Sequence, residues 1–179
     1  MRAVRLDVVE SPGLDAAARQ ALRGLWAAAF GGRFSDSDAD HAYGGVHVIG
    51  YDGPIPIGHA SAVPRRLRFG QEWLEVGYVE AVATAPERQG AGVGTTVMEL
   101  LHEQIRARWP VAMLSTGRAT GFYERLGWER WRGASLTLTD AGAVPDGEHG
   151  GLMILRVDSL AVPDLSLDVT CEDRPGDAW

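Results

Sequence analysis

The sequence predicts an α/β fold: a mixed, mostly antiparallel sheet flanked by helices, forming one domain over residues 1–179. Three observations predict it. Strand-like and helix-like periodicities follow one another in the order β-α-α-β-β-β-α-β-α-β. A strand-like run ends in glycines and opens at once into a helical pattern, in Val76–Thr96 (VGYVEAVATAPERQGAGVGTT). At 179 residues, 45% hydrophobic and 23% charged, the chain suffices for one well-formed core.

The elements follow in order. Arg2–Val9 alternates like a strand, and Ser11-Pro12-Gly13 breaks it. Asp15 is placed to cap a helix over Ala16–Phe30, with Leu22, Leu25, Trp26 and Ala29 on one face. Gly31-Gly32 ends that helix. Ser35 followed by Asp38 forms a capping-box pattern, Asp standing in for Glu, before a short helix to about Tyr43. Gly44-Gly45 closes it. Val46–Tyr51, Ile57–Phe69 and Trp73–Ala83 read as an antiparallel meander, turned at Asp52-Gly53-Pro54 and at Gly70-Gln71.

Beyond the glycines, Val93, Val97, Leu100, Leu101 and Ile105 recur at helical spacing as far as Trp109-Pro110. Val111–Leu114 reads as a short buried strand, and Arg118–Leu126 as a helix closed by Gly127. Trp128–Arg132 and Ser135–Thr139 read as strands, Ala141–Gly151 as a surface loop, Leu152–Val157 and Leu165–Cys171 as late strands. The tail Glu172–Trp179 has no periodicity. The parallel strand pair is expected to flank the long helix.

Bulk properties narrow the function. A formal net charge of −7 argues against sequence-independent nucleic-acid binding and suits a cationic small molecule. No apolar run approaches the roughly 18 residues of a membrane span. The N-terminus lacks a signal core, and Cys171 is the only cysteine, so a cytoplasmic protein without intramolecular disulfides is expected. His41, His47, His59, His102 and His149 share no metal-ligand spacing; they read as structural histidines, and no metal is expected. Arg65, Arg66 and Arg68 read as a solvated strand face, with phosphate steering as the other reading.

The glycine spacing separates the candidate phosphate loops. A Walker A loop ends in Gly-Lys-Ser/Thr, whereas here Gly94-Thr95-Thr96 carries no lysine. Gly90-Ala91-Gly92-Val93-Gly94 is G-x-G-x-G, not the dinucleotide fingerprint, and the βαβ surroundings are missing. The run Gln89-Gly90-Ala91-Gly92-Val93-Gly94, Q-x-x-G-x-G, resembles the acyl-coenzyme A loop of the GCN5-related N-acetyltransferases (GNAT). That resemblance implies a GNAT fold, with a splayed parallel pair at the coenzyme site and acetyl-coenzyme A as donor.

Two side chains have the chemistry such a transfer needs. Glu80 interrupts an apolar run, where a carboxylate is costly unless paired or near water. It can accept the proton an ammonium must lose before attack, directly or through water; a glutamate on a solvated sheet face is the other reading. Tyr123 lies in Phe122-Tyr123-Glu124-Arg125-Leu126-Gly127-Trp128, which resembles the second helix of the same acetyltransferases. A phenol there can protonate a leaving thiolate; a core tyrosine covering the helix–sheet seam is the other reading. Ser115 and Thr116 share that proton, orient the tyrosine, or simply cap the helix.

Acidic residues gather at Asp36, Asp38 and Asp40, at Glu148, and in the ending Asp177-Ala178-Trp179. A docked tail would present an aromatic wall and carboxylates that suit a polyamine. Phe34–His47, Arg65-Arg66-Leu67, Gly77-Tyr78-Val79-Glu80 and Arg174-Pro175-Gly176-Asp177-Ala178-Trp179 together resemble aminoglycoside 2′-N-acetyltransferases. That resemblance implies substrate contacts at Asp38, Glu80, Ser115, Glu148, Asp177 and the carboxylate of Trp179. It implies coenzyme contacts at Val82, Thr84 and the loop Gln89, Gly90, Ala91, Gly92, Val93, Gly94. It also implies direct transfer in a ternary complex and a possible homodimer. Arg33 stands where an acid would be expected, and Glu148 where an aspartate would. Another amine acceptor (a polyamine, peptide terminus or amino-sugar metabolite) and a non-catalytic cation-binding module are the alternatives.

Overall fold

The structure, a computed structural model, describes residues 4–146, 151–158 and 162–179. Its contacts cluster into two compact units, Met1–Val63 with Val79–Gln104, and Pro64–Tyr78 with Ile105–Trp179.

In the first unit, β1 (Arg5–Glu10) leads into α1 (Ala16–Ala29) and α2 (Asp36–His41). Asp15 caps α1, its carboxylate accepting from the Ala18 amide at 2.8 Å. The α1 face Leu22, Leu25 and Trp26 is buried, as its spacing requires. Ser35 and Asp38 form the expected reciprocal capping box at the start of α2. β2 (Val46–Asp52) pairs antiparallel with β1, from Arg5↔Tyr51 to Glu10↔Val46. It also pairs antiparallel with the first part of β3 (Ile55–Phe69), with a bulge at Gly50/Tyr51.

β4 (Glu72–Thr84) is followed by a 3-10 turn, Pro86–Arg88, and then by α3 (Val93–Arg106). Gly58 lets α3 sit directly on β3. A Cβ there would lie 2.6 Å from Val93 Cγ1 and 3.1 Å from Val97 Cγ2. This contact fixes where the N-terminus of α3 stands.

In the second unit, β5 (Val111–Ser115) runs parallel to β4 through Gly77↔Ala112 and Tyr78↔Met113. α4 (Thr120–Arg125), β6 (Glu129–Arg130) and the hairpin β7 (Ser135–Thr139)–β8 (Gly142–Pro145) follow. β9 (Leu152–Arg156) is antiparallel to both β5 and β6. β10 (Val169–Glu172) lies antiparallel to β3 and parallel to β7. Trp109 does more than stop α3: a Cβ on Gly77 would stand 2.5 Å from its ring.

The fold class is as expected: a mixed, mostly antiparallel sheet with helices, and a parallel β4/β5 pair. Four local readings change. The expected loop over Ala141–Gly151 contains β8, because the Thr139 hydroxyl accepts from the Ala141 amide at 3.2 Å and donates to the Gly142 carbonyl at 3.0 Å, closing a tight hairpin. The expected strand Leu165–Cys171 begins only at Val169; before it, the Asp164 carboxylate accepts from the Ser166 amide and hydroxyl in a turn. Trp128–Arg132 contracts to the two-residue β6. The helix expected from Arg118 begins at Thr120, because Thr116 Oγ1 accepts from the Ala119 amide at 3.2 Å and holds the preceding residues in a turn. The parallel β10/β7 pair, between strands far apart in sequence, was not anticipated.

Candidate active site

In the first unit the site grows from an interruption in β4. Ala81 has φ 52°, the only positive φ among the described non-glycine residues. Alanine avoids that region by roughly 1–2 kcal/mol, so neighbours must hold it there. His59 does so: its Nδ1 lies 2.8 Å from the Ala81 carbonyl oxygen. The Ser61 hydroxyl donates to the Glu80 carbonyl at 3.3 Å, one residue earlier. Glu80, Val82 and Thr84 are each half-buried around this point.

Behind His59 the polar chain continues inward. His47 Nδ1 lies 3.0 Å from His59 Nε2, and the Ser11 hydroxyl lies 2.7 Å from His47 Nε2. Both imidazoles are fully buried. Burial lowers His47 to about 4 and His59 to about 3, so both rings are neutral near pH 7.

The glycine loop lies between the 3-10 turn and α3. Gly90 and Gly92 have φ of 75° and 85°, and a Cβ on either would meet only open space. Gln89 through Gly92 are exposed. The amides of Gln89 and Ala91 are turned back on the Pro86 and Arg88 carbonyls, each at 3.3 Å. Arg88 is itself paired with Asp52. Thr96 donates to the Gly92 carbonyl at 3.0 Å, so the amides of Val93, Gly94 and Thr95 precede the helical ladder. Bare backbone, open space and the positive end of a 14-residue helix fit a coenzyme pyrophosphate.

Asp38 is half-buried, and its Oδ2 accepts from the Ser35 amide at 2.7 Å and hydroxyl at 2.8 Å. The cap fixes the carboxylate, which has acceptor sites beyond these two. Just before the cap, Phe34 stacks on Phe30 at 4.9 Å and tilts against Trp26 at 5.1 Å. Arg33 is exposed, and its Nε donates to the Phe30 carbonyl at 3.3 Å, so its charge complements the C-terminal end of α1.

In the second unit, Ser115 is exposed at the end of β5, and Tyr123 is buried on α4. Burial pushes the Tyr123 phenol well above its ordinary value, so it stays protonated at any working pH. The tail is docked. Trp179 is 4% exposed, and Asp177, itself exposed, accepts from the Trp179 amide at 3.0 Å. Arg65 donates to the Ala178 carbonyl at 2.8 Å, and the Cys171 thiol reaches the same oxygen at 3.4 Å. Burial raises the thiol, which keeps it a neutral donor. Arg174 donates to the Asp177 carbonyl at 2.9 Å.

The structure thus places Asp38, Glu80, Val82, Thr84 and Gln89–Gly94 in one unit, and Ser115, Tyr123, Asp177 and Trp179 in the other. Glu148 lies outside the described residues. Among the described residues no group of three or more His, Cys, Asp or Glu is placed for a metal ion. No helix among them is long and apolar enough to cross a membrane. Sequence reasoning missed two features. Arg65 has partners that its strand does not announce: it donates to the Ala178 carbonyl in the tail and lies 4.6 Å over the Tyr78 ring. His47 and His59 are buried and hydrogen-bonded, and they meet at the backbone beside Glu80. A shared strand parity, with both imidazoles among apolar neighbours, was the only available signal.

Comparison with known proteins gives the family and the fold. Residues 14–131 match the family model described as an acetyltransferase (GNAT) domain. An aminoglycoside 2′-N-acetyltransferase of Mycolicibacterium fortuitum is 37% identical over 177 residues, covering 96% of this chain and 90% of the relative. A GNAT family N-acetyltransferase (YhbS) from Escherichia coli, solved in complex with CoA, superposes with a TM-score of 0.67 at 13% identity, covering 94% of this chain and 89% of that one. A GNAT family acetyltransferase from Brucella melitensis, solved in complex with acetyl-CoA, gives a TM-score of 0.60 at 17% identity, covering 92% and 94%. The chain belongs to the GNAT acetyltransferase family, with an aminoglycoside 2′-N-acetyltransferase among its relatives.

Proposed function

We propose that this enzyme transfers the acetyl group of acetyl-coenzyme A to the 2′-amino group of an aminoglycoside, directly within a ternary complex. The observation that carries the reading is the 37% identity, over 96% of the chain, to an enzyme of that name. The net charge of −7 supports a polycationic acceptor over nucleic acid.

Each residue has a role in this reading. The amides of Gly90, Gly92, Val93 and Gly94 hold the coenzyme pyrophosphate, with Gln89 and Ala91 shaping the turn. The backbone at Val82 and Thr84 holds the acyl arm, and the Val82 amide donates to the thioester oxygen as it gains charge. Glu80 accepts the proton that the substrate ammonium sheds, through one water. The freed amine forms the C–N bond as the C–S bond breaks, Tyr123 gives the departing sulfur its proton, with Ser115 beside it, and the second proton that the nitrogen sheds in becoming an amide restores the Tyr123 phenol through solvent. Asp38, Asp177 and Trp179 hold the other ammonium groups of the drug, and Glu148 belongs to the same set. Each desolvated charge-assisted contact contributes on the order of 1–3 kcal/mol.

A cytoplasmic setting and a homodimer complete the proposal. The single cysteine, Cys171, a buried free thiol, suits a reducing compartment, and sedimentation of the purified chain measures the assembly. The function itself is tested by coenzyme release, followed with a thiol reagent, on a matched pair of acceptors. Kanamycin B, with a 2′-amine, should release coenzyme. Kanamycin A, with a 2′-hydroxyl, should not, and equal turnover of both would overturn the regiochemistry.

A further inference from the structure

A buried chain of polar groups runs from Ser11 through His47 and His59 to the carbonyl of Ala81, and its proton order can be deduced. A carbonyl only accepts, so at 2.8 Å His59 Nδ1 must carry the proton. A neutral His59 then has a bare Nε2, which accepts from His47 Nδ1 at 3.0 Å. His47 Nε2 is bare in turn and accepts from the Ser11 hydroxyl at 2.7 Å. Ser11 Oγ accepts from the amides of Gly44 at 2.8 Å and Gly45 at 3.2 Å. Each donor between Ser11 and Ala81 meets an acceptor in that order; the Ser11 hydroxyl gives its one proton to His47 and not to the Gly45 carbonyl at 3.1 Å, and the cost falls on the Trp26 indole N–H, which loses His59 Nδ1 as an acceptor.

Trp26 Nε1 approaches His59 Nδ1 at 3.2 Å, which would ask that nitrogen to accept. The reverse order it implies sets a bare nitrogen against a carbonyl oxygen at 2.8 Å and gives Ser11 Oγ a third donor. The shorter contact, to an atom that cannot donate, decides the direction.

The carbonyl at the end of this chain belongs to the peptide joining Ala81 to Val82. That peptide is trans, so its N–H points opposite to its C=O. Holding the oxygen therefore aims the Val82 amide. A hydrogen bond to the carbonyl also polarises the peptide and strengthens the amide as a donor. The positive φ of Ala81 is the turn in the strand that this grip maintains.

We infer that His59, oriented by His47 and Ser11, is a positioning residue for acetyl transfer: it holds the Ala81–Val82 peptide so that the Val82 amide faces the thioester oxygen. The inference rests on the reading of Val82 given under the proposed function. It requires both histidines to be neutral, each with its proton on Nδ1, the less common tautomer in solution.

The tautomers are read in the unmodified protein, without ligand, from imidazole nitrogen shifts in a long-range nitrogen–proton spectrum at pH 7. Nδ1-protonated rings at both positions are expected. Nε2-protonated rings at both would overturn the inference, whatever the activity.

Kinetics supply the second test. His59→Leu removes the donor and should lower kcat about tenfold or more, with KM for acetyl-coenzyme A within about threefold. His59→Asn keeps an N–H near the place of Nδ1 and should recover most of kcat, whereas equal losses in the two variants would indicate packing alone and reject the inference. If the leucine variant fails to fold, the asparagine variant and the tautomers decide. The Val82 amide separates this inference from the reading beneath it. A Val82 amide shift that changes in unliganded His59→Leu and returns toward the wild-type value in His59→Asn supports the grip, and equal Val82 shifts in the two variants count against it. A difference between the complexes with acetyl-coenzyme A and with coenzyme A tests Val82 itself.

Discussion

Arg65 donates from Nη2 to the carbonyl of Ala178 at 2.8 Å, tying the middle of β3 to the penultimate residue of the chain across 113 positions. The same guanidinium lies over Tyr78 at 4.6 Å, and Arg174 approaches that ring at 5.9 Å. A planar cation can donate in its plane and stack on its face at once; a lysine ammonium cannot do both. The tail that carries Asp177 and Trp179 is thereby anchored to β3 at Arg65.

Arg65→Leu should raise KM for the acceptor by about tenfold and leave KM for acetyl-coenzyme A within about twofold. Arg65→Lys should recover only part of the loss. Initial-rate kinetics with each substrate varied in turn measures this. An unchanged acceptor KM in the leucine variant would show that tail order does not govern acceptor binding.

Glu80→Gln removes the proposed proton acceptor while keeping its size. Near neutral pH the rate should fall by about a hundredfold. The loss should shrink at high pH, where more of the acceptor amine is already neutral. A pH–rate profile for both proteins is the measurement, and a pH-independent deficit would assign Glu80 to binding instead.

Gly58→Ala would place a methyl group 2.6 Å from Val93 Cγ1, on a β-branched side chain at the first turn of α3. Either the valine or the helix must move. The variant should lose about 1–3 kcal/mol in chemical denaturation. It should also weaken coenzyme binding in calorimetry, because the glycine loop rides on that turn. Wild-type coenzyme affinity in a destabilised variant would separate the loop from the packing.

The buried histidines make stability depend on acid. Their folded values, about 4 for His47 and about 3 for His59, lie below the unfolded value near 6.5. Between those limits the unfolded chain binds more protons, so stability rises with pH there and is lost as pH falls below about 6.5. At pH 5 the loss should reach about 2 kcal/mol per histidine relative to pH 7. Replacing both by Asn should flatten the curve over that window. Denaturant titrations at a series of pH values test this, and a wild-type curve as flat as the variant's would contradict it.

What could be read in advance follows from where the information lies along the chain. The Ser35–Asp38 box and the Asp15 cap are spelled by neighbouring residues, and each formed as read; the glycine turn before α3 is equally local, though the Gln89 and Ala91 amides fold back on carbonyls there. β8 was hidden because Gly142, Asp146 and nearby Pro145 look like loop composition, while the hairpin depends on the Thr139 hydroxyl and on pairing with β7. The histidine chain joins Ser11, His47, His59 and Ala81 from separate strands and a turn, and no local pattern announces such a meeting. Arg65 looked like part of a basic strand because its partners, Tyr78 and Ala178, are defined only by folding. The last tryptophan was legible, since a bulky aromatic in a tail implies an anchor, and it is buried.

The most direct test of the central claim is the position of the acetyl group on the product. The enzyme is incubated with carbonyl-labelled acetyl-coenzyme A and kanamycin B, and the purified product is examined by two-dimensional NMR. A single amide whose labelled carbonyl correlates with the proton at the 2′ carbon is the predicted result. A label on any other nitrogen, or none on the drug while coenzyme is released, would contradict the account.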